Sequence, residues 1–370
     1  MAMTENKRLD LLTSISGQPI KTVAEWETYR RREIMVLLEN FVYGVRPFVR
    51  PDSGSFTLVR QGKNWLGSGA TFKEIDIAVG THHFPAYIFV PEKATLPAPA
   101  FVVIMNEKRS MAYDFDKAVD YSHLPIPDII ARGYAVAVMP TNAVTPDWMY
   151  HGEFKKGVFG ATEPAEKRRE NSWATVSGWA LGAQLVMDYL ETDIDIDHQN
   201  VAVMGHSRDG KAALVAGMYD KRFKLVISNS SGTGGAAYTR GKVGEHIQNL
   251  MVSDWFCDNY RNFRTNEEML PCDQHMLLAM IAPRPLYIKS DGLDEWADPE
   301  AEVFAARLAS SVYELYGKTG LVADEQIKIE KEYHDGMIAY HRSPIDHNLT
   351  TSDWHHYMNF ADKHLKVERP

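Results

Sequence analysis

Val201-Ala-Val-Met-Gly-His-Ser-Arg-Asp-Gly-Lys-Ala-Ala-Leu-Val-Ala-Gly217 runs from an apolar strand through Gly205-His206-Ser207 into a helix of small residues. A strand that turns sharply into a helix, with a serine at the corner, is the setting of a nucleophile elbow. Gly205, two before the serine, permits a turn in which a side chain would clash. Two after it Asp209 stands where such elbows carry glycine, and Gly210 follows. The corner is also the N-terminal end of a helix dipole, which favours a developing oxyanion. The plainer alternative is that Ser207 only caps the helix.

Outward from this segment the pattern alternates. Before it, residues 21–45 read as an N-terminal helix, with Trp26, Tyr29, Ile34, Leu37, Leu38 and Phe41 at helical spacing and a stop at Gly44. Residues 1–20 read as a flexible lead-in. Strands follow at Ser55–Arg60, Thr71–Val79 and Phe84–Val90. Then come a buried strand at Ala100–Met105, a helix closing over Asp128–Gly133, and a strand at Tyr134–Met139. Ser172–Leu190 reads as an amphipathic helix with Trp173, Val176, Ala180, Ala183, Val186 and Leu190 on one side. After the elbow, Lys211–Met218 is helical, and Leu225–Ser228 and Leu286–Lys289 are strands. Such alternation predicts one α/β domain over residues 1–370, with a mostly parallel central sheet in a three-layer αβα sandwich. Residues 141–171 and 232–275 are too long for plain connectors and are expected to build the binding face.

Composition removes other classes. With 370 residues, 45% hydrophobic, the chain can bury a large core, and its net charge of −9 is the opposite of a nucleic-acid footprint. The longest apolar runs are strand-length, short of the roughly 20 residues of a membrane span. Met1–Asp10 lacks the apolar core of a signal peptide. Cys257 and Cys272 are either a pair or two separate thiols. Gly232-Thr-Gly-Gly lacks dinucleotide-loop spacing, and nothing calls for a metal or an organic cofactor.

On an elbow fold the acid and the histidine follow the serine in that order. Arg284-Pro-Leu-Tyr-Ile-Lys-Ser-Asp-Gly-Leu-Asp-Glu-Trp-Ala-Asp-Pro299 ends a buried strand in an acidic loop. Asp294 and Asp298 are both candidates there, Asp291 a weaker one. His341-Arg-Ser-Pro-Ile-Asp-His-Asn-Leu-Thr-Thr-Ser-Asp-Trp354 precedes a final helix, Thr351 to His364, and offers His347 as general base. His334 and His341 compete with it. His82, His83, His151, His198, His355 and His356 read as solvated or packing residues. The three groups would share the chemistry of a hydrolytic triad.

Over roughly residues 20–365 the chain resembles the glucuronoyl esterases, carbohydrate esterase family 15, of the α/β-hydrolase superfamily. Gly205-His-Ser-Arg-Asp-Gly-Lys211 matches the family's serine motif, and Asn229-Ser-Ser-Gly-Thr-Gly-Gly-Ala-Ala237 its second signature. Trp255-Phe-Cys, Leu270-Pro-Cys-Asp-Gln-His-Met, Ile281-Ala-Pro-Arg-Pro285, Trp296-Ala-Asp-Pro299 and the Asp346-His347 loop follow in family order. One departure matters: most members carry the triad glutamate where this chain has Ser230. Asp294 is therefore the expected acid, with Asp298 second.

The resemblance implies that Arg208 helps hold the oxyanion and that Lys211, Glu245 and Trp296 contact the sugar. A structural ion pair, a solvated lysine and a core tryptophan are the plainer readings of Arg208, Lys211 and Trp296. The glutamate that fungal members carry before Trp255 is replaced here by Val252. The implied activity is hydrolysis of esters of (4-O-methyl-)glucuronic acid, of the kind linking lignin to glucuronoxylan, by a secreted or periplasmic monomer. An acetyl-xylan or general carboxylesterase, and an inactive carbohydrate-binding relative, are the rival readings.

Overall fold

The computed structural model describes residues 9–46, 55–106, 123–147, 154–163 and 167–365. Among the described residues nine strands form one sheet: β1 Ser55–Gly62, β2 Ala70–Val79, β3 His82–Pro91, β4 Ala98–Met105, β5 Ala135–Pro140, β6 Ile196–His206, β7 Phe223–Asn229, β8 Leu286–Asp291 and β9 Ile338–Ser343. Their spatial order is β1-β2-β3-β5-β4-β6-β7-β8-β9. β1, β2, β3 and β5 pair antiparallel. From β5 through β4 to β9 every pairing is parallel. The chain starts at the antiparallel edge with β1, steps past the place of β5 to β4, returns to β5 and then adds β6 to β9 outward in order, so the carboxyl ends of the parallel neighbours β6, β7 and β8 lie side by side along one edge of the sheet. That edge is where an open α/β sheet holds its ligand.

Alternation along each strand builds two cores. Val201 and Val203 of β6 face one, Ala202 and Met204 the other. The first is closed by α1 (residues 23–43, with π-type turns at Trp26–Arg30 and Glu39–Tyr43) and by further helices, among them Thr175–Leu190, Arg208–Tyr219, Gln274–Ala279 and Pro299–Leu315. The second is closed by α2 (Ile126–Ala131) and the C-terminal helix. The later main helices are α3 (Thr175–Leu190), α4 (Arg208–Tyr219), α5 (Pro299–Leu315) and α6 (Thr351–His364). Helices on both faces make the expected three-layer α/β-hydrolase sandwich.

Three local expectations need correction. Residues 9–20 are not a loose lead-in: Leu9, Leu11 and Ile20 are buried, and the Arg30 guanidinium donates to the Asp10 and Leu11 carbonyls. Residues 1–8 lie outside the described residues. The helix α3 is not amphipathic, because all of its residues are buried. Gly178 admits Thr145 and Phe159 close against the helix, and Gly182 admits Val144 and Met139 of β5. β9 was not anticipated. Ile338-Ala-Tyr-His-Arg-Ser mixes charge and ring nitrogen into a strand that is buried apart from Arg342. Cys257 and Cys272 are both free thiols, and burial pushes Cys257 up to about 12.

Candidate active site

The elbow forms as its glycines require. A Cβ on Gly205 would lie 2.2 Å from the backbone of Asp209, so the strand and helix can approach this closely only without one. Ser207 itself sits at φ 60°, ψ −127°, a backbone region that side chains rarely occupy and that turns its hydroxyl outward from the bend. Its side chain makes no capping bond to α4, which removes the plain helix-cap reading. The Ser207 N–H donates to the Asn229 carbonyl and ties the elbow to the end of β7.

His347, from the loop between β9 and α6, brings Nε2 to 2.8 Å from Ser207 Oγ across 140 positions of sequence. Its Nδ1 lies 2.6 Å from Asp294 Oδ2. Asp294 is buried, and burial alone would raise its pKa. Hydrogen bonds from His347 and from the Ala297 N–H outweigh that and hold the carboxyl below its usual range. The anion that an imidazolium needs is therefore present. Behind the ring, His206 packs at 4.6 Å between centroids, and His206 Nδ1 is fixed on Asn229 Oδ1 at 2.8 Å.

The competing residues are placed elsewhere. Asp298 is the N-cap of α5: it accepts the Ala301 N–H at 3.0 Å and the Val243 N–H at 2.8 Å. His334 and His341 share the Tyr287 hydroxyl, each at 2.8 Å, and His341 pairs with Asp353. Burial pushes both histidines down to about 4, so they are neutral members of the core. Asp291 forms an ion pair with Lys289. Oxygen and nitrogen atoms of Asp291, Asp294 and His347 do lie within 4.8 Å of one another. Yet each already holds a protein partner, one of them the Lys289 ammonium, so the set fits a hydrogen-bonded relay better than a metal centre.

A cavity of about 310 Å³ opens over Ser207, lined by Arg208, Lys211, Glu245, Trp255, Trp296 and His347 among others. This is the size of a small ligand pocket. Arg208 projects over the Trp255 ring at 4.8 Å and is held by Asp147 at 2.5 Å. The same carboxylate accepts the Trp255 indole N–H at 2.8 Å and the Asn106 amide at 3.1 Å. Asp147 thus fixes the cation and its aromatic neighbour together. Sequence reasoning missed it, because no motif surrounds it and Arg208 is 61 positions away.

Lys211 is buried, not solvated. Its ammonium donates to the Ser231 carbonyl at 2.6 Å, the Thr233 carbonyl at 2.6 Å and Glu245 at 3.2 Å. Three donors are thereby committed to protein acceptors, so Lys211 reaches this pocket chiefly as the anchor of Glu245 and of the 231–233 loop. Trp296 is 53% exposed at the rim, which excludes the core-tryptophan reading. Val252 also lines the pocket and is exposed, giving that wall an apolar patch.

From below, Glu302 on α5 accepts the Ser231 and Gly232 N–H groups at 2.8 and 3.0 Å, and the Ser290 hydroxyl. Burial pushes its carboxyl up to about 7. The folded protein therefore keeps this proton to higher pH than the unfolded chain does. The contribution of this one group to stability is thus fully present below about 4.3, the ordinary glutamate value, and is lost as pH rises toward 7. We expect the stability of Glu302→Gln to change less than wild type between pH 5 and pH 7.5. Urea unfolding at both pH values checks this, and equal slopes for the two proteins would refute it.

A family model described as "Glucuronyl esterase, fungi" matches residues 74–317. A carbohydrate esterase from an unknown prokaryotic organism is 34% identical, covering 96% of this chain and 89% of its own. A 4-O-methyl-glucuronoyl methylesterase of Wolfiporia cocos is 27% identical over 81% of this chain and 70% of its own. Among solved structures, a glucuronoyl esterase from Solibacter usitatus superposes with a TM-score of 0.88 at 32% identity, covering 98% of both chains. An esterase from a marine bacterial metagenome, described as promiscuous and of carbohydrate esterase family 15, gives 0.85 at 33% identity over 96% of both.

Proposed function

Because the chain belongs to the glucuronoyl esterase family, carbohydrate esterase family 15, we propose that Ser207, His347 and Asp294 are the triad with which it cleaves its ester. The enzyme is a carboxylic ester hydrolase acting on esters of glucuronic acid. The observation that carries the residue assignment is the continuous relay Ser207–His347–Asp294, at 2.8 and 2.6 Å, opening into one pocket.

The chemistry follows from that relay. His347 takes the Ser207 proton as the hydroxyl oxygen attacks the C6 carbonyl of the uronate ester. The carbonyl electrons move onto oxygen, beside the Arg208 guanidinium at the helix N-terminus, where a fixed donor stabilises the charge. The C–O bond to the alcohol then breaks, and the alcohol leaves with the proton held by His347. A water molecule, deprotonated by the same imidazole, attacks the acyl carbon; the bond from that carbon to Ser207 Oγ then breaks, Oγ takes the proton back from His347, and free glucuronate leaves. Asp294 keeps the imidazole in the tautomer that faces Ser207 and balances its positive form.

Glu245, held by Lys211 and by the Thr233 N–H, is the carboxylate we assign to sugar hydroxyls. Trp296 supplies a flat face beside the ring and an N–H donor. We further propose that the natural substrate is a 4-O-methyl-glucuronate on xylan esterified to a lignin-like alcohol, and that the enzyme works as a secreted or periplasmic monomer. Among the described residues no helix is long and apolar enough to cross a membrane.

The rival is an acetyl-xylan or general carboxylesterase. An acetyl group offers no partner for a pocket that carries both Arg208 and the Lys211–Glu245 pair. kcat/KM on a benzyl glucuronate ester should exceed that on acetylated xylan. Faster release of acetate would overturn the substrate assignment.

A further inference from the structure

Lys289 and Asp291 lie on one face of β8, and both side chains are fully buried beneath the loop that carries His347. Their charges pair with each other, and both also grip the residue after the histidine. Lys289 Nζ donates to the Asn348 carbonyl at 3.0 Å, and Asp291 Oδ2 accepts the Asn348 N–H at 3.1 Å. The Ser230 hydroxyl completes the arrangement by donating to Asp291 Oδ2 at 2.6 Å. Ser230, which cannot act as a triad acid, thus has a definite partner.

Burying an ion pair is costly, and an apolar pair of similar size often serves stability equally well. What an apolar pair could not supply is a donor and an acceptor at fixed positions for one exposed loop. That loop lies between β9 and α6 without regular structure of its own. The catalytic step tolerates little error in where it holds the imidazole.

We infer that Lys289 and Asp291, completed by Ser230, form a neutral clamp that positions His347 by holding both backbone groups of Asn348. Lys289 and Asp291 lie outside the pocket lining, and Ser230, which does line it, spends its hydroxyl proton on Asp291; the three act through His347 as positioning residues. The inference rests on the reading of His347 as general base. The charged and titratable groups around that ring are Asp294 at Nδ1, His206 packed against it, and Arg208, Lys211 and Glu245 across the pocket. Asp346 accepts the His347 backbone N–H, and Asp353 lies 3.7 Å behind Lys289. The Asp291 carboxylate, within 4.8 Å of the catalytic set, is balanced by its lysine.

The test compares Lys289→Met, Asp291→Asn, Ser230→Ala and the double variant Lys289→Met/Asp291→Leu on one benzyl glucuronate ester across pH 5–9. Loss of the clamp should lower kcat by about 10–100-fold with KM nearly unchanged, the scale of an ångström-sized misplacement. Ser230→Ala, which keeps the ion pair, should show a smaller loss of the same kind. The acid limb of kcat/KM supplies a readout that simple destabilisation would not move. It should shift to higher pH in Lys289→Met, which leaves a carboxylate uncompensated near the imidazole. It should shift to lower pH in Asp291→Asn, which leaves an ammonium. In the double variant it should return to the wild-type position while kcat stays low. Wild-type kcat in a folded double variant, or limbs that shift in the same direction, would overturn the clamp. His347→Ala run alongside reports on the base itself: wild-type turnover there would sink that reading independently of the clamp.

Discussion

Ser207→Ala is expected to lower kcat on a glucuronate ester by about 10⁶-fold, the scale seen when a triad serine is removed from a well-studied hydrolase. The reason is geometric. Ser207 Oγ has its proton acceptor at 2.8 Å and stands at the mouth of the pocket. Among the described residues that line the pocket, Ser230 and Ser231 also carry hydroxyls, and both are committed. Ser230 donates to Asp291 and Ser231 accepts from Ser228. Affinity for glucuronoxylan should survive, since no sugar contact is removed. If wild type and Ser207→Ala turn over equally slowly while both bind the polymer, the chain is a binding relative and not an esterase.

The second large effect is Asp294→Asn, expected to lower kcat by about 10⁴-fold. That was the loss when an asparagine replaced the orienting carboxylate of another triad and favoured the wrong histidine tautomer. Asp298→Asn should leave kcat within an order of magnitude of wild type and lower stability only slightly. Its two oxygens serve the Ala301 and Val243 N–H groups, and a helix cap is worth roughly 1 kcal/mol. Steady-state kinetics of the two variants, with thermal melts, separates the roles. Equal activity losses would mean that neither carboxylate orients the histidine alone.

The residue types involved explain how much of this was readable. The strand–turn–helix at Gly205-His206-Ser207 depends only on local periodicity and on a glycine that sterics demand, so it was legible without structure. So was the order of serine, acid and histidine. The choice between Asp294 and Asp298 also had a local signal. Asp298 precedes Pro299 at the start of a helix, which is the pattern of an N-cap followed by proline at the first helical position.

Other features had no such signal. β9 was hidden because His341 and Ser343, polar residues in a buried strand, find their partners outside it, on Tyr287 of the neighbouring β8 and on Asp353 of α6. The helix α3 read as amphipathic because alanine and glycine look neutral in a sequence, whereas here they admit close neighbours on every side. Asp147 lies in a long irregular stretch that was expected to serve the binding face. Only the fold brings it to Arg208, Trp255 and Asn106. The Lys211 expectation changed for a related reason: its helical spacing from Ser207 gave the correct side, but the three acceptors around its ammonium come from loops 20 to 34 positions onward.

The most direct test of the central claim is covalent. A fluorophosphonate that reacts only with an activated serine should label the protein at one equivalent per chain. Peptide mass spectrometry should locate the adduct on Ser207, and a glucuronate ester present in excess should slow its formation. An enzyme that hydrolyses the ester while Ser207 stays unmodified, or that is inactivated through a different residue, would contradict the account.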